Sequence, residues 1–110
     1  MAATTHDLGP ADLAEGELRA CEPVAGRYVL VSCFEGRHFA IDDQCNHAGC
    51  LLSGGWVEQH DVVCPCHENR FDLRTGLNTT SLRLCEDQPV YPLRVFDGRL
   101  VVELPEGGGS

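Results

Sequence analysis

The sequence predicts an all-β domain, a sandwich or a barrel. Three observations point there: short segments rich in β-branched and aromatic residues, turn residues about every eight to twelve positions, and an Asp97-Gly98 pair between two strand-forming runs. GELRACE (16–22), GRYVLVSC (26–33) and GRHFAID (36–42) read as three strands of a meander, with Gly26 and Gly36 marking the turns. GGWVEQHDVVC (54–64) reads as a hairpin. Trp56 and Val57 run up to a turn near Gln59 to Asp61, and Val62 and Val63 lead back to Cys64. FDLRTG (71–76) enters a turn at Thr75 and Gly76, and YPLRVFDGRLVVEL (91–104) is a terminal hairpin. Residues 42–55 (DDQCNHAGCLLSGG) and 64–69 (CPCHEN) break the rhythm as loops, and both carry Cys and His. The scaffold is expected to present these two loops from opposite ends of one hairpin. Residues 77–90 form a third irregular stretch with no readable course.

At 110 residues the chain makes one domain, too short for a catalytic barrel or a two-domain nucleotide enzyme. Its eight Lys+Arg, all of them Arg, face 17 Asp+Glu, for a net charge of −9. Such a surface repels phosphate backbones and anionic headgroups, which argues against nucleic acid and membrane partners. Its natural complement is a partner with a basic docking patch, although a negative balance also serves plain solubility. MAATTHDLGPADLAEGEL is polar and acidic rather than a basic and apolar leader, and no apolar run reaches the ~20 residues that cross a bilayer. The chain thus reads as soluble and cytoplasmic. EGGGS (106–110) reads as a flexible tail. Seven cysteines, at 21, 33, 45, 50, 64, 66 and 85, are an odd set in a reducing compartment, so metal binding is a better starting point than a secreted disulfide framework.

The Cys/His loops read as Cys45-x-His47 and Cys64-x-x-His67, with residues 48–63 between them. Each offers one thiolate and one imidazole, a four-donor set that a tetrahedral zinc would also accept. Common zinc fingers pair like with like across two or more residues. A mixture in each loop, with one residue between Cys45 and His47, suits two metal atoms side by side.

This double motif resembles that of the Rieske iron–sulfur proteins, and from Gly16 to Leu104 most of the chain resembles a soluble Rieske ferredoxin. GRHFAIDDQCNHAG is similar to the strand that feeds the first ligand loop, and CHENRFDLRTG to the segment leaving the second. The resemblance implies a Rieske-like antiparallel β sandwich or barrel with a small inserted cluster-binding subdomain. One domain would span 1–105, with the subdomain at about 43–73 and a β base at 16–42 and 74–104. It also implies one [2Fe–2S] cluster, with Cys45 and Cys64 on one iron, His47 and His67 on the other, and two bridging sulfides. Replacing two anionic thiolates by neutral imidazoles makes an added electron easier to accept, which places this class at about −150 to +300 mV against about −400 mV for plant-type clusters. Cys50 and Cys66 stand where the high-potential members carry a disulfide between the two loops. His6, His38 and His60 lie outside the motif and read as ordinary surface or strand residues, and Cys21, Cys33 and Cys85 as packing residues or free thiols.

The sequence departs from the high-potential members at three positions. Glu68 stands where they have Gly, Asn69 where they have a Ser that donates to a bridging sulfide, and Phe71 where they have a Tyr that donates to a ligand sulfur. Two hydroxyl donors that would stabilise the reduced cluster are missing, and a carboxylate is added, so the potential is expected in the lower half of the class range. A Gly-Pro-Ala-Pro-like third loop is also missing, since Leu77 to Pro92 contains only Pro89 and Pro92. The implied function is one-electron transfer from a flavin-dependent reductase to a terminal oxygenase, with no catalysis by the chain alone. Ser32, Ser53 and Ser81 have no catalytic motif around them. Two alternatives are the small Rieske-like subunit of an assimilatory nitrite reductase and, from another class, a structural zinc-binding interaction module.

Overall fold

The computed structural model describes residues 3–45, 50–66, 68–80 and 86–105. Its strands are β1 (Ala3–Pro10), β2 (Leu18–Val24), β3 (Arg27–Phe34), β4 (Arg37–Asp42), β5 (Trp56–Glu58), β6 (Asp61–Val63), β7 (Arg70–Asp72), β8 (Val90–Tyr91), β9 (Leu93–Phe96) and β10 (Arg99–Pro105). A 3-10 turn, η1, covers Leu52–Gly54. Among the described residues the strands form three antiparallel sheets, β1-β10-β9, β2-β3-β4-β8 and β5-β6-β7. No helix in them is long and apolar enough to cross a membrane.

The middle sheet organises the molecule because β3 is buried on both faces. Val29, Val31 and Cys33 point into a base core with Leu100, Val102 and Leu104 of β10. Leu30 between them points the other way, with Ile41 of β4, into a second core with Val62, Phe71, Cys45 and Cys64. Strand alternation, which usually separates core from solvent, here separates one core from another. Each fully buried Val, Leu or Phe contributes roughly 1.5–3 kcal/mol. Cys33 is buried and Cys21 half-buried against the base core, as packing residues. Cys85 and the 106–110 tail lie outside the described residues.

The meander β2-β3-β4 and both hairpins form where the sequence predicts them. At the β9–β10 turn Asp97 and Gly98 have φ of 54° and 75°, the pair of left-handed residues that a tight two-residue hairpin demands. Three strands were not legible. β1 pairs along β10 from Ala3↔Pro105 to Asp7↔Val101, then bulges to Pro10↔Arg99. It extends the base sheet ahead of residue 16. Of its residues only Leu8 is buried, so it carries little hydrophobic alternation. β7 adds to β6 with Phe71 opposite Val62, and the two-residue β8 lies on β4 at Ala40↔Tyr91 and Ile41↔Val90.

The position of the two Cys/His loops is a correction. Trp56 pairs with Val63, so the chain enters β5 and leaves β6 side by side. Both loops therefore spring from the same open end of the hairpin, and the Gln59–His60 turn closes the other.

Candidate metal centre

The first loop is closed at its neck by paired contacts. The buried Asp43 carboxylate accepts the Ser53 backbone N–H and hydroxyl, each at 2.7 Å, and its carbonyl oxygen accepts Leu52 N–H at 2.7 Å. Gln44 bridges to Leu51, and Cys45 N–H donates to the Cys50 carbonyl at 2.7 Å. Leu52 fixes η1 from below with no exposed surface. The second loop is a tight reversal: Cys64 N–H donates to the Asn69 carbonyl at 2.8 Å, and Glu68 N–H to the Cys64 carbonyl at 2.9 Å. The loops press together at Gly55, where a Cβ would overlap the Val63 carbonyl oxygen. A disulfide between half-buried Cys50 and exposed Cys66, with Cα atoms 6.5 Å apart, staples them farther out.

The staple leaves Cys45 and Cys64 outside it. They are 1% and 0% exposed and share one apolar cluster with Leu30, Ile41, Leu52, Val62, Phe71 and Leu73. One thiol comes from each loop. A thiolate buried among aliphatic side chains is costly unless a cation neutralises it, so this donor pair fits a thiophilic metal group held between the loops. His47 and His67 lie outside the described residues.

Asn69 and Phe71 are 1% and 0% exposed; Phe71 shares the apolar cluster of Cys64, and the Asn69 carbonyl accepts the Cys64 N–H. Glu68 is exposed and holds φ of 56°, the left-handed region that a side chain disfavours and glycine accepts. Glu68→Gly is expected to stabilise the protein by about 1 kcal/mol, a rise in Tm of about 4 °C or more. A thermal melt unchanged or lowered in that variant would count against the strain.

The remaining histidines sit away from the loops. His6 hydrogen-bonds Thr4 in β1, and His38 lies in β4. His60, in the hairpin turn, places Nδ1 2.9 Å from Asp61 and 3.3 Å from Asp72 and meets Phe34 edge-on. Both Asp72 oxygens are already engaged by Arg74, whose guanidinium holds that carboxyl below its usual range. On β5 Glu58 accepts from Trp56 Nε1 at 2.7 Å and Arg70 Nη2 at 2.6 Å, and these bonds lower its carboxyl in turn. The contacts that sequence reading misses are the Asp43–Ser53 clasp and this triad. Asp43–Ser53 and Glu58–Arg70 join residues ten and twelve positions apart, so they leave no local motif.

A family model described as the Rieske [2Fe-2S] domain matches residues 5–92. The ferredoxin subunit of anthranilate 1,2-dioxygenase from Burkholderia cepacia is 32% identical over 99 residues, covering 90% of this chain and 91% of its own. Among solved structures, the ferredoxin of carbazole 1,9a-dioxygenase from Nocardioides aromaticivorans IC177 superposes with a TM-score of 0.76 at 28% identity, over 88% of this chain and 96% of that one. Sphingomonas yanoikuyae B1 ferredoxin, at 24% identity, shares the fold with a TM-score of 0.83, over 93% of this chain and all of its own.

Proposed function

The chain belongs to the Rieske [2Fe–2S] domain family, and from that premise we propose that it is a cytoplasmic one-electron carrier, the ferredoxin component of an oxygenase system. It takes electrons from a flavin-dependent reductase and delivers them to a terminal oxygenase, and it is not an enzyme by itself. Relatives named as ferredoxin components of dioxygenase systems support this reading. The observation that carries it is the pair Cys45 and Cys64, buried together at the end of one hairpin while a separate disulfide joins their loops.

Cys45 and Cys64 would hold one iron of the cluster, and His47 and His67 the other. The cluster would supply reversible uptake of a single electron. The protein supplies the rest. Leu30, Ile41, Leu52 and Phe71 exclude water from the thiolate side. The Asp43–Ser53 clasp closes the neck of the first loop and the disulfide ties that loop to the second, so that little rearrangement accompanies the change in charge. The net charge of −9 steers the carrier toward basic docking patches on both partners.

Phe71 and Asn69 donate no hydroxyl to the sulfurs, and Glu68 adds a negative charge nearby, so the potential lies in the lower half of the class range. Phe71→Tyr restores one donor in a position with no exposed surface. A hydrogen bond worth about 1 kcal/mol more in the reduced state raises the potential by about 40 mV. A fall or no change on voltammetry would contradict this account of the tuning.

The proposal as a whole is tested by iron and sulfide analysis with a redox titration followed by electron paramagnetic resonance. The expected result is a red-brown protein with two irons and two sulfides per chain, whose signal appears on one-electron reduction and which an oxygenase reoxidises. A colourless protein holding a single zinc would overturn it.

A further inference from the structure

Below the ligand loops a third segment passes the end of β4, and in it Gln88 is only 3% exposed. Its side-chain nitrogen donates to the carbonyl oxygens of Asp42, at 2.8 Å, and Gln44, at 3.0 Å. Its backbone N–H donates to the Gly76 carbonyl at 2.8 Å. Its own carbonyl lies so close to Gly76, which holds φ of 79°, that a Cβ there would overlap it. Pro89 continues the contact by accepting Asp42 N–H at 2.9 Å. Gln88 thus connects the turn that follows β7 with the residue before Cys45.

The Gln44 carbonyl and the Cys45 N–H belong to one peptide plane. Gln88 holds its oxygen from below, and the Cys50 carbonyl holds its N–H from the loop side at 2.7 Å. Cys50 is in turn fastened to the second loop by the disulfide. With both polar ends held, the plane cannot rotate, and the direction in which Cys45 projects its sulfur is set. Hydrogen bonds at the two ends of one amide also polarise and strengthen each other. The two protons on the Gln88 nitrogen match the two carbonyl acceptors.

We infer that Gln88 is a positioning residue for the metal centre, fixing the Gln44–Cys45 peptide and so the angle at which the Cys45 thiolate meets its iron. The inference rests on the proposed ligand role of Cys45. It assigns to the segment that lacks a proline-rich covering loop a task beneath the centre rather than over it.

Gln88→Met tests it, because the side chain keeps its length and loses its donors without a change in charge. Val102→Ala, in the base core, serves as a control for general destabilisation. Gln88→Met is expected to retain iron, to shift the resonance g-values, and to change the electron affinity about threefold or more, ~30 mV for one electron. Release of iron to a chelator should quicken about tenfold, and Val102→Ala should leave the g-values and potential where they were. Wild-type g-values and potential in Gln88→Met would overturn the inference. Should Gln88→Met hold no iron, Gln88→His, which keeps one N–H donor, decides: a displaced potential supports the role and an unchanged one refutes it. A wild-type protein without the [2Fe–2S] resonance would fail earlier, and would remove the functional reading together with the inference.

Discussion

Cys64→Ser is expected to yield a folded, colourless protein without iron or sulfide. Cys64 has no exposed surface and sits at the start of the second loop, with its N–H and carbonyl both engaged in the reversal that ends at Asn69. A serine fills the space and keeps those backbone bonds, so the scaffold survives. What it loses is the thiolate, the donor that iron–sulfur clusters require, since a hydroxyl stays protonated and binds iron weakly. Cys50→Ser is the contrasting variant. It breaks the Cys50–Cys66 staple, whose partners are 16 residues apart, and loses loop-closure stabilisation of about 3 kcal/mol. It should still assemble the cluster and then release it faster. Iron and sulfide analysis with the visible spectrum separates the two: full iron in Cys64→Ser, or none in Cys50→Ser, would exchange the roles of ligand and staple.

Gly55→Ala should be strongly damaging although Gly55 is not a ligand. The added methyl would overlap the Val63 carbonyl oxygen, and that oxygen belongs to a backbone already paired across the hairpin, where Trp56 faces Val63. A flexible side chain could swing aside at little cost. A strand must move as a whole, and here it carries Cys64 at its end. The expected loss is about 3 kcal/mol or more, which lowers Tm by more than about 10 °C. Iron retention should fall in step, because the overlap forces the two loops apart. Calorimetry checks the first effect, and a Tm within a few degrees of wild type would mean that the hairpin end can spread freely.

Much of the fold is legible in the sequence, for reasons that differ from element to element. The meander and the two hairpins are written locally, in Gly36, Asp97-Gly98 and runs such as YVLVSC. The candidate cysteine and histidine donors stand out because metal chemistry restricts both residue type and spacing; of them Cys45 and Cys64 meet in one buried cluster, and His47 and His67 lie outside the described residues. β1 is not legible, because ATTHDLGP forms a strand by virtue of β10 beside it rather than through its own propensity. The same limit hid Asp43, Ser53 and Gln88, ordinary polar residues whose roles arise from partners 10 to 46 positions away. The expectation that the loops leave opposite ends of the hairpin failed on register, since an antiparallel pair brings its first and last residues together.

The double-sided burial of β3 has a consequence for how the protein opens. Leu30 seals the floor of the metal-centre half while Val29 and Val31 seal the base. Neither half can lose this strand alone, so the two behave as one cooperative unit in which slow amide exchange in β3 reports on both. Escape of the prosthetic group through unfolding of its floor is then governed by global stability, and a base-core residue that touches no ligand still sets how long the carrier stays charged with iron.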